Sequence, residues 1–228
     1  MPSEPSPRIA LIHALEESVL PARTAFAAHW PQAWCFDLLD TSLAVDLGAA
    51  GGLDAAMMER FERLADYATG FPGKGGRTQA ILFTCSAFGP AIDAVKTRLS
   101  VPVLRPNEAA FEEALELGSS FAILVTFGPS REPLAAELHA MAAARGRRIT
   151  VKTILVDGAL AALQAGDAST HDRFAAGACH GLDGVDALIL GQFSLARAAD
   201  AIRDITAVPV LTTPDCAVRA LRARLGGR

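Results

Sequence analysis

Apolar runs of strand length alternate with stretches of helical period along nearly the whole chain. The apolar runs are continuous, which is typical of strands in parallel sheets that are covered on both faces. The predicted strands are Arg8–His13, Ala33–Leu39, Gln79–Thr84, Val101–Leu104, Phe121–Thr126, Arg148–Val156, Ala187–Gly191 and Val208–Leu211. The predicted helices include Leu53–Ala68, Ala91–Leu99, Asn107–Leu117, Glu132–Arg145, Ser169–Cys179, Leu195–Ile205 and Asp215–Leu225. This alternation predicts an α/β fold with right-handed crossovers.

One segment of the chain occurs twice. ILFTCSAFGPAIDAVKTRLSVPVL begins at Ile81, and LILGQFSLARAADAIRDITAVPVL begins at Leu188, at a constant offset of 107 residues without a gap. A weaker likeness aligns residues 9–13 with residues 122–126. The repeat predicts two pseudo-symmetric units, each with a parallel four-stranded sheet, and a cleft between them. We expect residues 1–106 plus 213–228 to form the first unit and residues 107–212 the second.

Composition narrows the class of protein. Apolar residues make up 51% of the chain, which predicts a packed core. The net charge of −4 disfavours a nucleic-acid partner, which normally meets a basic face. No apolar run is long enough for a membrane span or a signal peptide, so we expect no membrane association and a cytoplasmic location. Homo-oligomerisation stays open at this point.

The sequence also predicts no metal and no cofactor. The four cysteines (Cys35, Cys85, Cys179 and Cys216) are scattered without metal-ligand spacing, which favours free thiols. The Gly-rich run Gly70–Gly76 lacks the GxxxxGK[ST] order of a phosphate loop and is expected to be a surface turn. No lysine follows directly after the carboxyl end of a predicted strand, where we would expect one in a pyridoxal-dependent enzyme.

Four loops at the predicted carboxyl ends of strands carry polar side chains. Ligands of parallel α/β sheets bind outside these strand ends. The loops contain His13; Thr84, Cys85 and Ser86; Thr126 with Ser130; and Gln192 with Ser194. The two repeat copies would place Cys85 and Gln192 on opposite sides of the cleft.

Cys85 is the strongest single candidate for chemistry. It lies between a strand and a helix that starts near Pro90, where the helix dipole and free backbone N–H groups favour a thiolate. A thiolate in this position can act as a base or as a nucleophile. The backbone N–H groups of Ser86 and Ala87 can hold a substrate carboxylate. The structural alternative is that Cys85 is a small buried core residue.

The two repeat copies carry a resemblance to a known superfamily. TCSAFG after ILF, followed by VPVL, resembles the first cysteine motif of the aspartate/glutamate racemase superfamily, which reads Cys-Asn-Thr or a near variant. LILGQFS stands where that superfamily has Leu-Gly-Cys-Thr. The superfamily includes glutamate, aspartate and hydantoin racemases, maleate isomerase and arylmalonate decarboxylase, all independent of pyridoxal. By matching position, Cys85 carries over as the first catalytic cysteine, and Ser86, Ala87 and Thr126 carry over as substrate-binding positions.

Gln192 is the main departure from the superfamily's pattern. It stands at the position of the second cysteine, and an amide has no useful pKa for proton transfer. It can still donate a hydrogen bond to a carboxylate or an enolate oxygen. Either another group replaces the second thiol, or the reaction needs only one thiol. The candidates for replacement, each with a structural alternative, are His13, His171, Glu108 and Cys216.

The resemblance implies a cofactor-independent enzyme acting next to the carboxylate or carbonyl of a small carboxylic acid or amino-acid-like substrate. A racemase-type isomerase is the family default. One-cysteine decarboxylation with stereospecific protonation, and thiol-adduct cis–trans isomerisation, each need a single thiol. A non-catalytic domain that binds small acids is the alternative outside the enzymes. The expected substrate-binding residues are His13, Thr84, Ser86, Ala87, Thr126, Gln192 and Ser194.

Overall fold

Two parallel four-stranded sheets organise the molecule. The computed structural model describes residues 6–226, so residues 1–5 and 227–228 of the predicted first unit lie outside the described residues. The strands are β1 Arg8–His13, β2 Trp34–Leu39, β3 Thr78–Phe83, β4 Val103–Leu104, β5 Ser120–Val125, β6 Thr150–Leu155, β7 Ala187–Leu190 and β8 Val210–Thr212. One sheet has the order β2-β1-β3-β4 and the other β6-β5-β7-β8. The predicted α/β class with two parallel four-stranded sheets is confirmed.

Helices connect the strands as the alternating pattern predicts. They are α1 Val19–His29, α2 Ser42–Ala50, α3 Ala55–Gly70, α4 Gly89–Arg98, α5 Glu108–Leu117, α6 Arg131–Ala144, α7 Ala159–Gln164, α8 Ala168–Gly177, α9 Ala199–Arg203 and α10 Thr213–Gly226. The helix predicted over Leu195–Ile205 is shorter than expected, because Phe193–Ala198 forms a 3-10 segment before α9. Across residues 6–226, none of the helices has the length and apolar character that a membrane span requires.

Contacts divide the described residues into two compact units. Residues 6–106 with 217–226 form the first unit, and residues 107–216 form the second. In the first unit, Arg222 of α10 donates a hydrogen bond of 2.8 Å to the carbonyl oxygen of His29, at the end of α1. Each unit has its own hydrophobic core, built on one side by alternate residues of its two central strands.

Helix α3 covers the core of the first unit. Its start is fixed by Asp54, whose carboxylate accepts a hydrogen bond of 2.8 Å from the backbone N–H of Met57. Met57 and Phe61 repeat at helical spacing and are buried, as predicted. The Phe61 ring lies 5.4 Å from the ring of Phe83 and 4.7 Å from that of Phe88, centroid to centroid. Phe61 therefore packs beneath the loop that joins β3 to α4.

Strand pairing reproduces the main repeat residue by residue. Ile81 pairs with Val103 in the first sheet, and Leu188 pairs with Val210 in the second. Both pairs keep the offset of 107 residues that the sequence predicts. The backbone hydrogen bonds show the same offset, since Ile81 N–H donates to the carbonyl oxygen of Pro102 and Leu188 N–H donates to that of Pro209.

The weaker alignment of the first strands is wrong by one residue. Ile12 pairs with Phe83, and Leu124 pairs with Leu190, so Ile12 corresponds to Leu124. His13 therefore corresponds to Val125 and not to Thr126. The strand register excludes the alignment made from the sequence, because a slip of one residue would turn every side chain of the strand to the other face of the sheet.

Candidate active site

The thiol of Cys85 lies directly beyond the carboxyl end of β3. Its backbone is extended (φ −119°, ψ 122°), and the 3-10 turn Ser86–Phe88 follows and leads into α4. Pro90 lies in the first turn of α4, where its missing N–H is tolerated. Cys85 is partly exposed, whereas the other three cysteines, Cys35, Cys179 and Cys216, are buried. Of the four cysteine residues, Cys85 is therefore the most exposed.

A narrow recess of about 160 Å³, partly open to solvent, lies beside Cys85. Its lining residues are Ile12, His13, Ala14, Leu43, Phe61, Phe83 and Cys85. In this state the recess has no room for a molecule the size of water. It brings the predicted residues His13 and Cys85 to one place.

Burial raises the pKa of the Cys85 thiol. Desolvation is the larger effect, and a hydrogen bond from the backbone N–H of Ala87 opposes it. The expectation of a resting thiolate is therefore wrong for this state, since the burial of Cys85 outweighs its place before a helix. The Ala87 N–H donates its hydrogen bond to the sulfur of Cys85 in this state, so it is not free to bind a substrate carboxylate as the sequence predicted. Burial also raises the pKa of Cys35 to about 12 and that of Cys179 to about 11.

The imidazole of His13 is completely buried, and both of its nitrogens have partners. Nδ1 lies 2.9 Å from Oγ1 of Thr84, and Nε2 lies 3.1 Å from Oδ1 of Asp37. The guanidinium of Arg23 donates from Nε to Oδ2 of Asp37 at 2.9 Å. His13 therefore offers no free nitrogen to a substrate, contrary to the prediction that it binds one directly. The hydroxyl of Thr84 is engaged in the same way and is also buried.

In the second unit the predicted residues Thr126, Ser130 and Gln192 come together. Oε1 of Gln192 accepts hydrogen bonds from the backbone N–H of Thr126 at 2.7 Å and from the Thr126 hydroxyl at 3.0 Å. Nε2 of Gln192 donates to Oγ of Ser130 at 3.2 Å. Because a backbone N–H can only donate, this contact fixes which end of the amide is oxygen. Ser194 lies two residues beyond Gln192, in the largely buried 3-10 segment.

This cluster can bind an oxygen atom but cannot transfer protons. The two lone pairs of the Gln192 oxygen are used by Thr126, and one of its two amide hydrogens is used by Ser130. The second amide hydrogen and the Ser130 hydroxyl can donate to a ligand. The amide does not ionise in the physiological range, so Gln192 cannot take over the role of a second thiol.

The other replacement candidates are buried. Nδ1 of His171 lies 2.8 Å from Asp172, which also accepts a hydrogen bond of 2.8 Å from Arg197. Nε2 of His171 is enclosed without a partner among residues 6–226. Glu108 lies at the start of α5 and Cys216 within α10, and both are buried. A substrate could reach these three side chains only if the protein moved.

Sequence reasoning missed Asp37 and Arg23. Asp37 carried a usable signal, since it is the charged residue within the apolar run WCFDLL of β2. A carboxylate in a half-buried strand needs a partner, and a search for that partner would have led to His13. Arg23 carried none, because α1 was not among the predicted helices.

Solved racemase structures share this fold. The allantoin racemase from Pseudomonas fluorescens matches with a TM-score of 0.66 and 18% identity, over 96% of this chain and 92% of that chain. The aspartate racemase of Picrophilus torridus matches with a TM-score of 0.69 and 10% identity, over 96% and 94%. The glutamate racemase from Francisella tularensis, in complex with D-glutamate, matches with a TM-score of 0.68 and 15% identity, over 98% and 82%. At these identities the likeness shows a common fold.

The sequence itself shows the family. No curated protein matches it significantly. The family model described as Asp/Glu/Hydantoin racemase matches residues 45–227, a range that includes Cys85, Thr126 and Gln192. The resemblance seen in the TCSAFG and LGQFS segments is thus confirmed at the level of the family. The chain belongs to the Asp/Glu/Hydantoin racemase family, a family of cofactor-independent isomerases.

Proposed function

We propose that this protein is a cofactor-independent enzyme that uses the Cys85 thiol to move a proton at the carbon next to a carboxylate or carbonyl of a small acid. The observation that carries the proposal is the partly exposed residue Cys85 at the carboxyl end of β3, beside a recess, with the Ala87 N–H directed at its sulfur. Family membership supports a racemase-type isomerase. A structural neighbour was solved with D-glutamate, which supports an amino-acid-like or carboxylic-acid substrate.

Cys85 alternates between thiol and thiolate in this mechanism. The thiolate forms in a minor fraction of molecules, when the thiol releases its proton to water. It then removes the proton from the substrate carbon, and the electron pair moves into the adjacent carboxylate or carbonyl to give a planar intermediate. The Ala87 N–H stabilises the negative sulfur while the proton is absent from it. Return of a proton from Cys85 to the same face restores the original configuration.

A single thiol limits what the reaction can achieve. Racemisation by two bases needs an acid on the opposite face of the carbon, and Gln192 cannot supply a proton. We assign Gln192 and Ser130 to binding, with the free amide hydrogen and the hydroxyl donating to negatively charged oxygens of the substrate. Thr126 holds the amide for this task, and Ser86 and Ser194 stay as further binding candidates. The expected chemistry is one-base proton exchange with retention of configuration.

Decarboxylation is the second candidate, and the state of Cys85 favours it. Burial raises the pKa of the thiol, so Cys85 carries a proton at neutral pH. A neutral thiol suits the protonation of a carbanion that loss of CO2 has formed, and this reaction needs no second thiol. The same arrangement would protonate one face of the intermediate and give one enantiomer.

A panel of amino acids, hydantoins, maleate and aryl malonates in deuterated water tests the proposal. Deuterium at the carbon next to the carboxylate, with configuration retained, is the expected result by NMR and chiral chromatography. Release of CO2 would identify the decarboxylase, and conversion of maleate to fumarate would identify the thiol-adduct isomerase. Binding of these acids without any exchange would contradict an enzyme and identify a small-acid binding domain.

A further inference from the structure

A chain of hydrogen bonds ends at the residue that precedes Cys85. It runs from Arg23 of α1 to Asp37 of β2, then to His13 at the end of β1, and then to Thr84. A second hydrogen bond also fixes Thr84, because its backbone N–H donates to the carbonyl oxygen of Ile12 at 3.0 Å. The position of the peptide that carries Cys85 is thus tied to a buried side chain from another strand.

The charges around His13 fix the direction of these hydrogen bonds. The groups that face the ring are Asp37 from β2, with Arg23 of α1 behind it, and Thr84 and Cys85 from the loop after β3. Burial lowers the pKa of His13, Asp37 opposes this effect, and Arg23 adds to it. The ring is therefore neutral at neutral pH. Nε2–H donates to the Asp37 carboxylate, which cannot donate itself. Nδ1 accepts from the Thr84 hydroxyl at 2.9 Å, which is shorter than the 3.4 Å from that hydroxyl to its other acceptor, the carbonyl oxygen of Ile12.

The second unit lacks this arrangement. By strand register, His13 corresponds to Val125, Asp37 to Thr153 and Thr84 to Gly191. A Cβ atom at Gly191 would lie 3.1 Å from the Leu124 carbonyl oxygen and 3.0 Å from Cγ2 of Ile123, so a side chain is crowded there. The histidine, the carboxylate and the hydroxyl therefore occur in the unit that carries the thiol, and their counterparts at the amide position cannot form the same chain.

We propose that His13 is a positioning residue for Cys85: locked by Asp37 and Arg23, it holds Thr84 and thereby keeps the Cys85 thiol in its half-buried place beside the recess. The inference rests on the proposed role of Cys85. His13 acts through Thr84 and does not touch the substrate, since both of its nitrogens are engaged. In this role the buried imidazole explains why a polar side chain follows the apolar residues 9–12 at the end of a central strand.

Alkylation of the four cysteines tests this role without reference to activity. The rate of iodoacetamide modification is followed at each cysteine by peptide mass spectrometry, from neutral to alkaline pH. Thr84→Val keeps the branched shape of the side chain and removes the hydroxyl, Thr84→Ser keeps the hydroxyl, and His13→Gln removes the ring. Glu59→Gln is the matched control, because it breaks the exposed ion pair with Arg63 on α3.

The proposal expects the Cys85 loop to loosen in Thr84→Val and in His13→Gln. The thiol then loses part of its burial, and its pKa falls back toward the ordinary value of 9.0. Since the thiolate is the reacting form, Cys85 modification at neutral pH becomes faster by about tenfold for each pKa unit recovered. Thr84→Ser and Glu59→Gln keep the wild-type pH profile, and Cys35 and Cys179 stay protected in every variant.

Two results would overturn the proposal. One is a Cys85 profile in Thr84→Val that equals that of the wild type. The other is exposure of Cys35 together with Cys85, which would mean that Thr84 supports the first unit as a whole and not the Cys85 loop in particular. Failure of the proposed function can be distinguished from failure of this proposal. If Cys85 were not catalytic, Cys85→Ser would leave catalysis unchanged, whereas the alkylation profiles would still decide the role of His13.

Discussion

Gln192 occupies in the second unit the position that Cys85 occupies in the first. Each follows by two residues the end of a central strand, at Phe83 in β3 and at Leu190 in β7, and each precedes a 3-10 segment. The two strand ends are built alike, but one carries an ionisable thiol and the other an amide clamped by Thr126. Under the proposed function, this asymmetry limits the chain to reactions that need a single thiol.

Replacing the amide by a thiol should change the outcome of the reaction. Gln192→Cys supplies the second ionisable group that two-base racemisation requires, so we expect loss of configuration in a substrate that the wild type exchanges with retention. Chiral chromatography after incubation in water measures this change. Gln192→Ser is the control, since it is similar in size to cysteine and lacks a usable pKa. Racemisation that is equal in both variants would contradict the assignment.

Removing the amide should also destabilise the second unit. In Gln192→Ala the largely buried N–H of Thr126 loses its acceptor, and an unsatisfied buried donor costs about 1–3 kcal/mol. Denaturant unfolding measures the free energy of unfolding, with Gln164→Ala as a control at an exposed glutamine. An unchanged free energy in Gln192→Ala would mean that the clamp does not form in solution.

Cys85 should be the first of the four cysteines to react with limiting iodoacetamide. It is partly exposed, whereas the other three cysteines are buried, so the reagent reaches it most readily even though burial raises its pKa as well. Peptide mapping after brief exposure at neutral pH gives the order of modification. The idea fails if Cys35 or Cys179 is modified while Cys85 stays intact.

The buried thiols predict a loss of stability at alkaline pH. Between the ordinary value of 9.0 and its raised pKa, each thiol keeps its proton in the folded state and loses it in the unfolded state. The free energy of unfolding therefore falls as pH rises above 9.0, by about 1.4 kcal/mol per pH unit for each such thiol. Cys35→Ala should make this decline shallower in denaturant titrations at several pH values. An equal slope in wild type and variant would exclude Cys35 as a cause.

The strands could be predicted from the sequence because a buried parallel strand is an uninterrupted apolar run. Helices α1 and α2 gave weaker signals. The buried face of α1 consists of Ala22, Ala25 and Phe26, and α2 buries Leu43 alone, so neither shows a clear apolar stripe. Where few large side chains face the core, the helical period is hard to recognise.

The candidate site was predictable in part. The repeat and the TCS loop indicated Cys85 and Gln192, because both are local sequence features. The partners of His13 depend on strand register, which brings Asp37 and Thr84 to it from 24 and 71 residues away. The raised pKa of Cys85 could not be predicted either, since it results from burial by side chains such as Phe61 that are distant in sequence.

The central claim is that the Cys85 thiol moves the substrate proton, and a deuterium-exchange measurement tests it most directly. Wild type, Cys85→Ser and Cys35→Ala are compared on a substrate from the acid panel in deuterated water, with NMR following the proton on the carbon next to the carboxylate. We predict exchange in wild type and in Cys35→Ala, and none above background in Cys85→Ser. Circular dichroism should show that all three proteins are folded. Exchange at the wild-type rate in Cys85→Ser would contradict the account.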